Sequence, residues 1–272
     1  MVELFESNLK KENRQSSKGN QLKWKGQNNI WYKADYTGYE GLAEYLVSHL
    51  LIHSSLKESE FILYETESIQ YKHQKYLGCA STNFLPAGWK LITLERLFQS
   101  RYGKSLTQSI YSIQGVSERI QFVVEFIVRT TGLSNFGTYM SRLLTLDALF
   151  LNEDRHTHNI ALLLDNKDKF HYCPIFDNGG SLLSDTTLDY PLGTDVRKIM
   201  SEVESKTFCG DFDEQLDIVE QLYGRQLTFG FTKKEVEMFL AQEQYYPGEI
   251  KDRVFEILTK QMQKYNYLFC NK

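Results

Sequence analysis

At 272 residues, with 42% hydrophobic and 24% charged composition, the chain can bury a core without metal or disulfide staples. Four Pro and 17 Gly exclude a fibrous or disordered class, and no apolar run approaches a membrane span, because the longest, over 143–151, is broken by Thr145 and Asp147. A net charge of −4, from 31 basic and 35 acidic residues, gives no reason to expect nucleic acid or an anionic membrane as partner.

In chain order, the first 29 residues are polar, and Ser16, Ser17, Lys18, Gly19 and Asn20 read as a turn. Residues 22–24 and 30–33 alternate around Gly26-Gln27-Asn28-Asn29, a hairpin signal. Leu42, Tyr45, Leu46, His49 and Leu50 predict a helix over 42–52. Residues 61–64 and 71–80 are predicted strands. The character changes near Pro86-Ala87-Gly88. Beyond it, 92–98, 116–131, 137–151, 213–223, 233–241 and 248–267 are predicted helices, with a capping role for Ser117 and Gln121 in the second. One small hairpin, 160–164 with 169–175, interrupts them around Asp165-Asn166-Lys167-Asp168. The predicted domains are 1–85, rich in strands, and 86–272, mostly helical.

Cys79, Cys173, Cys209 and Cys270 lie far apart with no CxxC pair, so free thiols in a reducing compartment are expected. The N-terminus has no apolar core of the kind a secretory signal carries, so a cytoplasmic location is expected. Secretion into a host cell is not excluded by this.

The densest polar cluster is Asn152-Glu153-Asp154-Arg155-His156-Thr157-His158-Asn159, between an apolar helix and an apolar strand. Such a composition suits a loop held rigidly at a helix–strand junction. Asp177-Asn178-Gly179 follows eighteen residues after Asn159. Phosphoryl transfer needs one carboxylate to orient the attacking hydroxyl, and an amide oxygen with a second carboxylate to hold Mg²⁺. Asp154 and Asn159 have the D-x₄-N spacing of a kinase catalytic loop, and Asp177 stands where kinases carry D-F-G. Lys33 ends a predicted strand and Glu44 lies eleven residues later on the next helix, the pairing that addresses the α- and β-phosphates of ATP. Glu40, one turn earlier, competes with Glu44 for that role.

Two other readings remain at this point. Asp154 and Asn159 could simply brace a surface turn. His156-x-His158 with Asp177 could ligate the metal of a hydrolase, though Asp154 and Asn159 would then be idle. In the kinase reading His156 braces the loop or Asp177, and His158 faces solvent or the hairpin.

LNEDRHTHNIALL followed by PIFDNGGSLL resembles the catalytic segment of HipA-like serine/threonine kinases, in particular the compact CtkA-type branch. The resemblance extends to Lys33 and to AEYLVSHLL with Glu44, and covers about residues 16–190. It implies an α+β, two-lobed protein-kinase-like fold related to phosphoinositide kinases, with a β-rich N-lobe and a helical C-lobe. It implies ATP and Mg²⁺ as cofactors and a Ser/Thr protein substrate. Asp154, aided by His156, would be catalytic, and Asn159 and Asp177 would hold the metal. Lys33, Glu44, Ser17, Lys18 and Gly19 would serve the phosphates, and Asn83, Phe84 and Leu85 would form a hinge against adenine. Autophosphorylation at Ser16 or Ser17 would silence the enzyme. An antitoxin partner is a family habit, but the extra N-terminal subdomain of the larger HipA toxins is missing here. A monomer is expected. A same-fold lipid or small-molecule kinase and a module that mainly docks a DNA-binding antitoxin are the rival functions.

Overall fold

The structure is a computed structural model that describes residues 1–9 and 21–270. Ser16, Ser17, Lys18 and Gly19, the expected phosphate loop, lie outside the described residues.

Chain contacts form two compact units. The first is Met1–Phe84 with Asp177–Glu202 and Phe229–Lys272; the second is Leu85–Phe176 with Val203–Thr228. A division into 1–85 and 86–272 does not anticipate that two later stretches cluster with the N-terminal strands. The physical reason is burial: the last helices share a core with the first one, as described next.

In the first unit, β1 (Val2–Glu3), β2 (Lys23–Lys25), β3 (Ile30–Ala34), β4 (Glu65–Tyr71) and β5 (Gln74–Thr82) form one sheet in the order β1-β4-β5-β3-β2. The predicted hairpin is β2 with β3, antiparallel, with Trp24 opposite Tyr32. Trp24, Ala34, Ile69 and Tyr71 form a core cluster on this sheet together with Leu4. Helix α1 (Glu40–Leu51) follows β3 and starts two residues before the predicted 42. Ten of its twelve residues are buried. It packs on β4 and β5 and is also covered by α8 (Lys233–Gln242), through Phe239 against Tyr45 and His49. α9 (Gly248–Lys264) packs on α8 and on the unpredicted α6 (Val196–Glu202).

The strand predicted at 61–64 is not one. Phe61, Ile62 and Tyr64 are buried because that segment lies along α1, where the Tyr64 amide donates to Ser48 Oγ at 3.1 Å. The hairpin comes later, as β4 and β5 turn through Lys72 and His73, both at positive φ (46° and 64°).

In the second unit, β6 (Lys90–Thr93), β7 (Ala161–Leu164) and β8 (Phe170–Tyr172) form an antiparallel sheet. The predicted 160–175 hairpin is β7 with β8. The predicted helix at 92–98 divides into β6 and α2 (Leu94–Tyr102), separated where Thr93 caps the helix by accepting from the Arg96 amide. α3 (Leu106–Tyr111) was not predicted. α4 (Val116–Thr131), α5 (Phe136–Phe150) and α7 (Phe212–Tyr223) match their predicted spans closely and pack on one another. Ser117 is not the N-cap of α4; Gly115 occupies that position, and Ser117 instead accepts from the Gln121 amide side chain one turn on. No helix among the described residues is long and apolar enough to cross a membrane.

Candidate functional site

The candidate residues form two clusters, one in each unit. In the first, Lys33 points from β3 to carboxylates on both sides. Its Nζ donates to Glu44 Oε1 at 2.7 Å and to Asp177 Oδ1 at 2.8 Å. Two glycines let α1 approach closely enough for this. A Cβ on Gly41 of α1 would stand 2.5 Å from the Gly78 backbone, and a Cβ on Gly78 would stand 2.0 Å from the Lys33 carbonyl. The other Glu44 oxygen accepts the Asn178 amide at 2.9 Å, so α1 also clamps the Asp177-Asn178-Gly179 turn. Asp177 itself sits at φ 63°, a left-handed conformation that this turn imposes on a non-glycine residue.

Burial alone would push the Lys33 ammonium down, but the Asp177 and Glu44 carboxylates hold it well above its ordinary range. It is therefore a fixed cation. The Tyr64 ring lies 5.2 Å below it. The competition between Glu40 and Glu44 is settled by geometry. Glu40 is occupied locally, accepting from the amides of Tyr36, Thr37 and Gly38 and from the Thr37 hydroxyl. Glu44 takes the lysine.

Asp35, two residues beyond Lys33, accepts the Gly41 amide at 2.6 Å and the Tyr246 hydroxyl at 2.7 Å. Burial, and secondarily the nearby Glu40 carboxylate, push it up to about 8 against the pull of those hydrogen bonds.

The expected hinge is partly engaged elsewhere. The Asn83 amide donates to the Asn29 carbonyl at 2.8 Å, and its carbonyl accepts Asn29 Nδ2 at 3.4 Å. These bonds occupy the backbone of Asn83 that was expected to face adenine. Phe84 closes the first stretch of its unit, and Leu85 opens the other unit.

In the second unit, the polar run 152–159 is a compact loop that leaves α5 through Leu151 at φ 53°. The His156 amide donates to the Asp154 carbonyl at 2.9 Å, and the Asn159 amide donates to the His156 carbonyl at 2.8 Å. Asn159 Nδ2 also donates to the Asp154 carbonyl at 2.9 Å. The two members of D-x₄-N are thereby joined directly. The His156 ring stands 3.9 Å from Asp154 Oδ1, too far for a hydrogen bond, and its Nδ1 has no hydrogen-bond partner among the described residues. The His156 and His158 rings meet edge-on with centroids 5.6 Å apart. Among the described residues no group of three His, Cys, Asp or Glu side chains forms a metal-ligand set.

The side-chain brace expected of His156 is made by its neighbours. Arg155 is 1% exposed and donates through Nε to both oxygens of Asp147 at 3.1 Å. Its NH1 donates to the carbonyl of Phe176 at 2.7 Å, and Thr207 Oγ1 donates to its own carbonyl at 2.6 Å. Thr157 is held by Glu95, which accepts its hydroxyl at 2.8 Å together with the amides of Leu106 and Thr107. Burial opposes the charge on Glu95, but bonds from Thr157, Ser105 and these amides win and hold the carboxyl below its ordinary value. Arg155 and Glu95 do not stand out in the sequence as site residues. A signal was present for the first: Asp147 interrupts an apolar helix that would bury it, and a buried acid needs a cationic partner.

No protein-family model matches this chain. No curated protein matches it either. Among solved structures it is similar to the crystal structure of the Helicobacter pylori proinflammatory kinase CtkA. The two are 15% identical, with a TM-score of 0.64, over 97% of this chain and 95% of that one. At this identity the likeness is one of fold: the chain has the two-lobed, mixed α+β, kinase-like fold of CtkA.

Proposed function

We propose that this chain is a HipA/CtkA-type kinase that transfers the γ-phosphate of ATP, with Mg²⁺, to a serine or threonine hydroxyl of a protein. The observation that carries the reading is Lys33, fixed as a cation by Glu44 and Asp177. A strand lysine paired with a carboxylate from the following helix, in a chain that also carries an Asp-x-Gly turn, is the phosphate-binding arrangement of kinases.

Mg²⁺ takes hard oxygen ligands; in this reading Asp177 of the first unit offers a carboxylate and Asn159 of the second offers an amide oxygen. The Asn159 amide nitrogen is committed to the Asp154 carbonyl, which leaves the oxygen for a cation. When bound, Mg-ATP supplies a phosphoryl group whose charge the metal partly neutralises. In this reading Lys33 takes the α- and β-phosphates, and Glu44 keeps it oriented. Asp154 accepts a hydrogen bond from the acceptor hydroxyl and orients it. His156 and His158 carry no metal. Ser17, Lys18 and Gly19 are the expected phosphate-binding residues of this reading, and phosphorylation of Ser16 or Ser17 lowers activity. An antitoxin partner remains a family expectation, testable by native co-purification.

The test is transfer of labelled γ-phosphate into a lysate, with mass spectrometry of the products. Phosphoserine or phosphothreonine on protein is the expected result. Label confined to lipid or small molecules would favour the same-fold rival, and no transfer to any acceptor would contradict both.

A further inference from the structure

We infer that the buried Asp147–Arg155 pair is a positioning device that holds the backbone on either side of the catalytic hairpin, and that Arg155 is the residue through which it acts. The inference rests on the kinase reading for its consequence but not for its structural content.

Arg155 immediately follows Asp154, yet it does not face solvent. Its guanidinium is 1% exposed, as is Asp147 on the last turns of α5. Nε reaches both Asp147 oxygens at 3.1 Å, and NH2 lies 3.1 Å from Oδ1. NH1 then donates to two backbone carbonyls: Phe176 at 2.7 Å and, more weakly, Asn159 at 3.4 Å. One carbonyl belongs to the residue before Asp177, and the other to Asn159 itself. These are the flanks of the β7–β8 hairpin, seventeen residues apart in the chain. The Arg155 carbonyl is tied in turn by Thr207 Oγ1 at 2.6 Å.

A buried ion pair is a poor source of net stability, because desolvating two charges offsets most of their attraction. A hydrophobic pair could fill the same volume. What a hydrophobic pair could not do is donate to two carbonyls from one rigid fork. Arginine has that planar fork of donors, and lysine does not. Asp147 holds the fork at one end so that its other end meets both flanks. Arg155 touches neither substrate nor metal in this account, so it is a positioning residue.

The test compares wild type, Arg155→Lys, Asp147→Asn and the double variant. The first readout is hydrogen exchange of the intact protein without nucleotide, together with its melting temperature. Arg155→Lys and Asp147→Asn should each raise exchange at least tenfold at 152–160 and 174–178, while α4 and α7 stay protected. The double variant should open no further than either single one. The second readout is transfer with Mg-ATP: the single variants should raise the KM for Mg²⁺ tenfold or more with the smaller effect on the KM for ATP. Free guanidinium should partly restore Arg155→Ala. Unchanged exchange at both flanks in Arg155→Lys would overturn the inference. So would uniform opening of the whole second unit in every variant that folds, which marks plain structural support. If Arg155→Lys does not fold, Asp147→Asn decides by the same exchange pattern. Wild-type protein that transfers no phosphate would defeat the kinase reading alone, since the exchange experiment would still decide the role of the pair.

Discussion

Glu44 holds Asn178: the Asn178 amide donates to Glu44 Oε2 at 2.9 Å while Oε1 of the same carboxylate receives Lys33. One buried side chain therefore fixes both the lysine of β3 and the turn that carries Asp177. A change at Glu44 should register at both places.

Glu44→Gln should keep the fold, weaken nucleotide binding and lower stability. Glu44→Ala should cost more, roughly 1–3 kcal/mol, because it leaves the Asn178 amide unsatisfied and removes one of two anions beside a half-buried lysine. Asp177 remains to balance Lys33, which keeps the loss below that of a fully unpaired charge. Urea denaturation measures the first effect, and titration with an ATP analogue measures the second. Unchanged values for both in Glu44→Ala would contradict the clamp.

Asp35 predicts an unusual pH dependence. Its folded value, about 8, lies above that of an exposed aspartate, 3.8. The folded state then holds a proton that the unfolded state has released. Stability contributed by this group is full below pH 4 and falls as pH rises toward 8, by at most ~1.4 kcal/mol per pH unit. The usual depressed carboxylate behaves in the opposite sense. Asp35→Asn should flatten the decline between pH 5 and 8 and raise the melting temperature at pH 8. A variant that keeps the wild-type slope would show that Asp35 does not titrate in this window.

Much of the fold was legible because periodicity and burial coincide. The β2–β3 hairpin, α1, α4, α5 and α7 all show it. β4 was not legible, because Glu65-Thr66-Glu67 starts it with polar residues and its turn uses Lys72-His73 in place of an Asn-Gly signal. β6 was hidden because it runs into α2 without a break, so four residues of strand read as the first turn of a helix. Residue type and spacing single out Lys33, Glu44, Asp154, Asn159 and Asp177 in the sequence, and the structure joins Lys33 to Glu44 and Asp177, and Asn159 to Asp154. Arg155, in a polar run, is signalled only indirectly, through the acid Asp147 inside an apolar helix, and Glu95, at the start of a helix, reads as solvated. Only the three-dimensional arrangement puts them inside.

Glu95 braces the loop at Thr157. Glu95→Ala removes the acceptor for the amides of Leu106 and Thr107 and for the hydroxyls of Thr107 and Thr157 in a largely enclosed setting, at a cost of roughly 1–3 kcal/mol. Thr157→Val removes one of these bonds and should cost about 1 kcal/mol. Chemical denaturation checks both, and equal losses in the two variants would contradict the assignment of Glu95 as the shared acceptor.

Self-silencing has a mass signature. Active protein incubated with Mg-ATP should gain phosphate at Ser16 or Ser17, and Asp177→Ala should not. The added charge, roughly −1.5 to −2, would oppose the triphosphate and weaken ATP binding. Wild-type protein that stays unmodified after long incubation would remove this regulation from the account.

Asp154→Asn tests the central claim most directly, by single-turnover transfer of the γ-phosphate compared with wild type and with Lys33→Met. The account predicts that Asp154→Asn binds Mg-ATP with near-normal affinity but transfers at least ~10²-fold more slowly, on the order of 3 kcal/mol in the barrier. Lys33→Met should instead lose nucleotide affinity. Near-normal transfer by Asp154→Asn would contradict the claim.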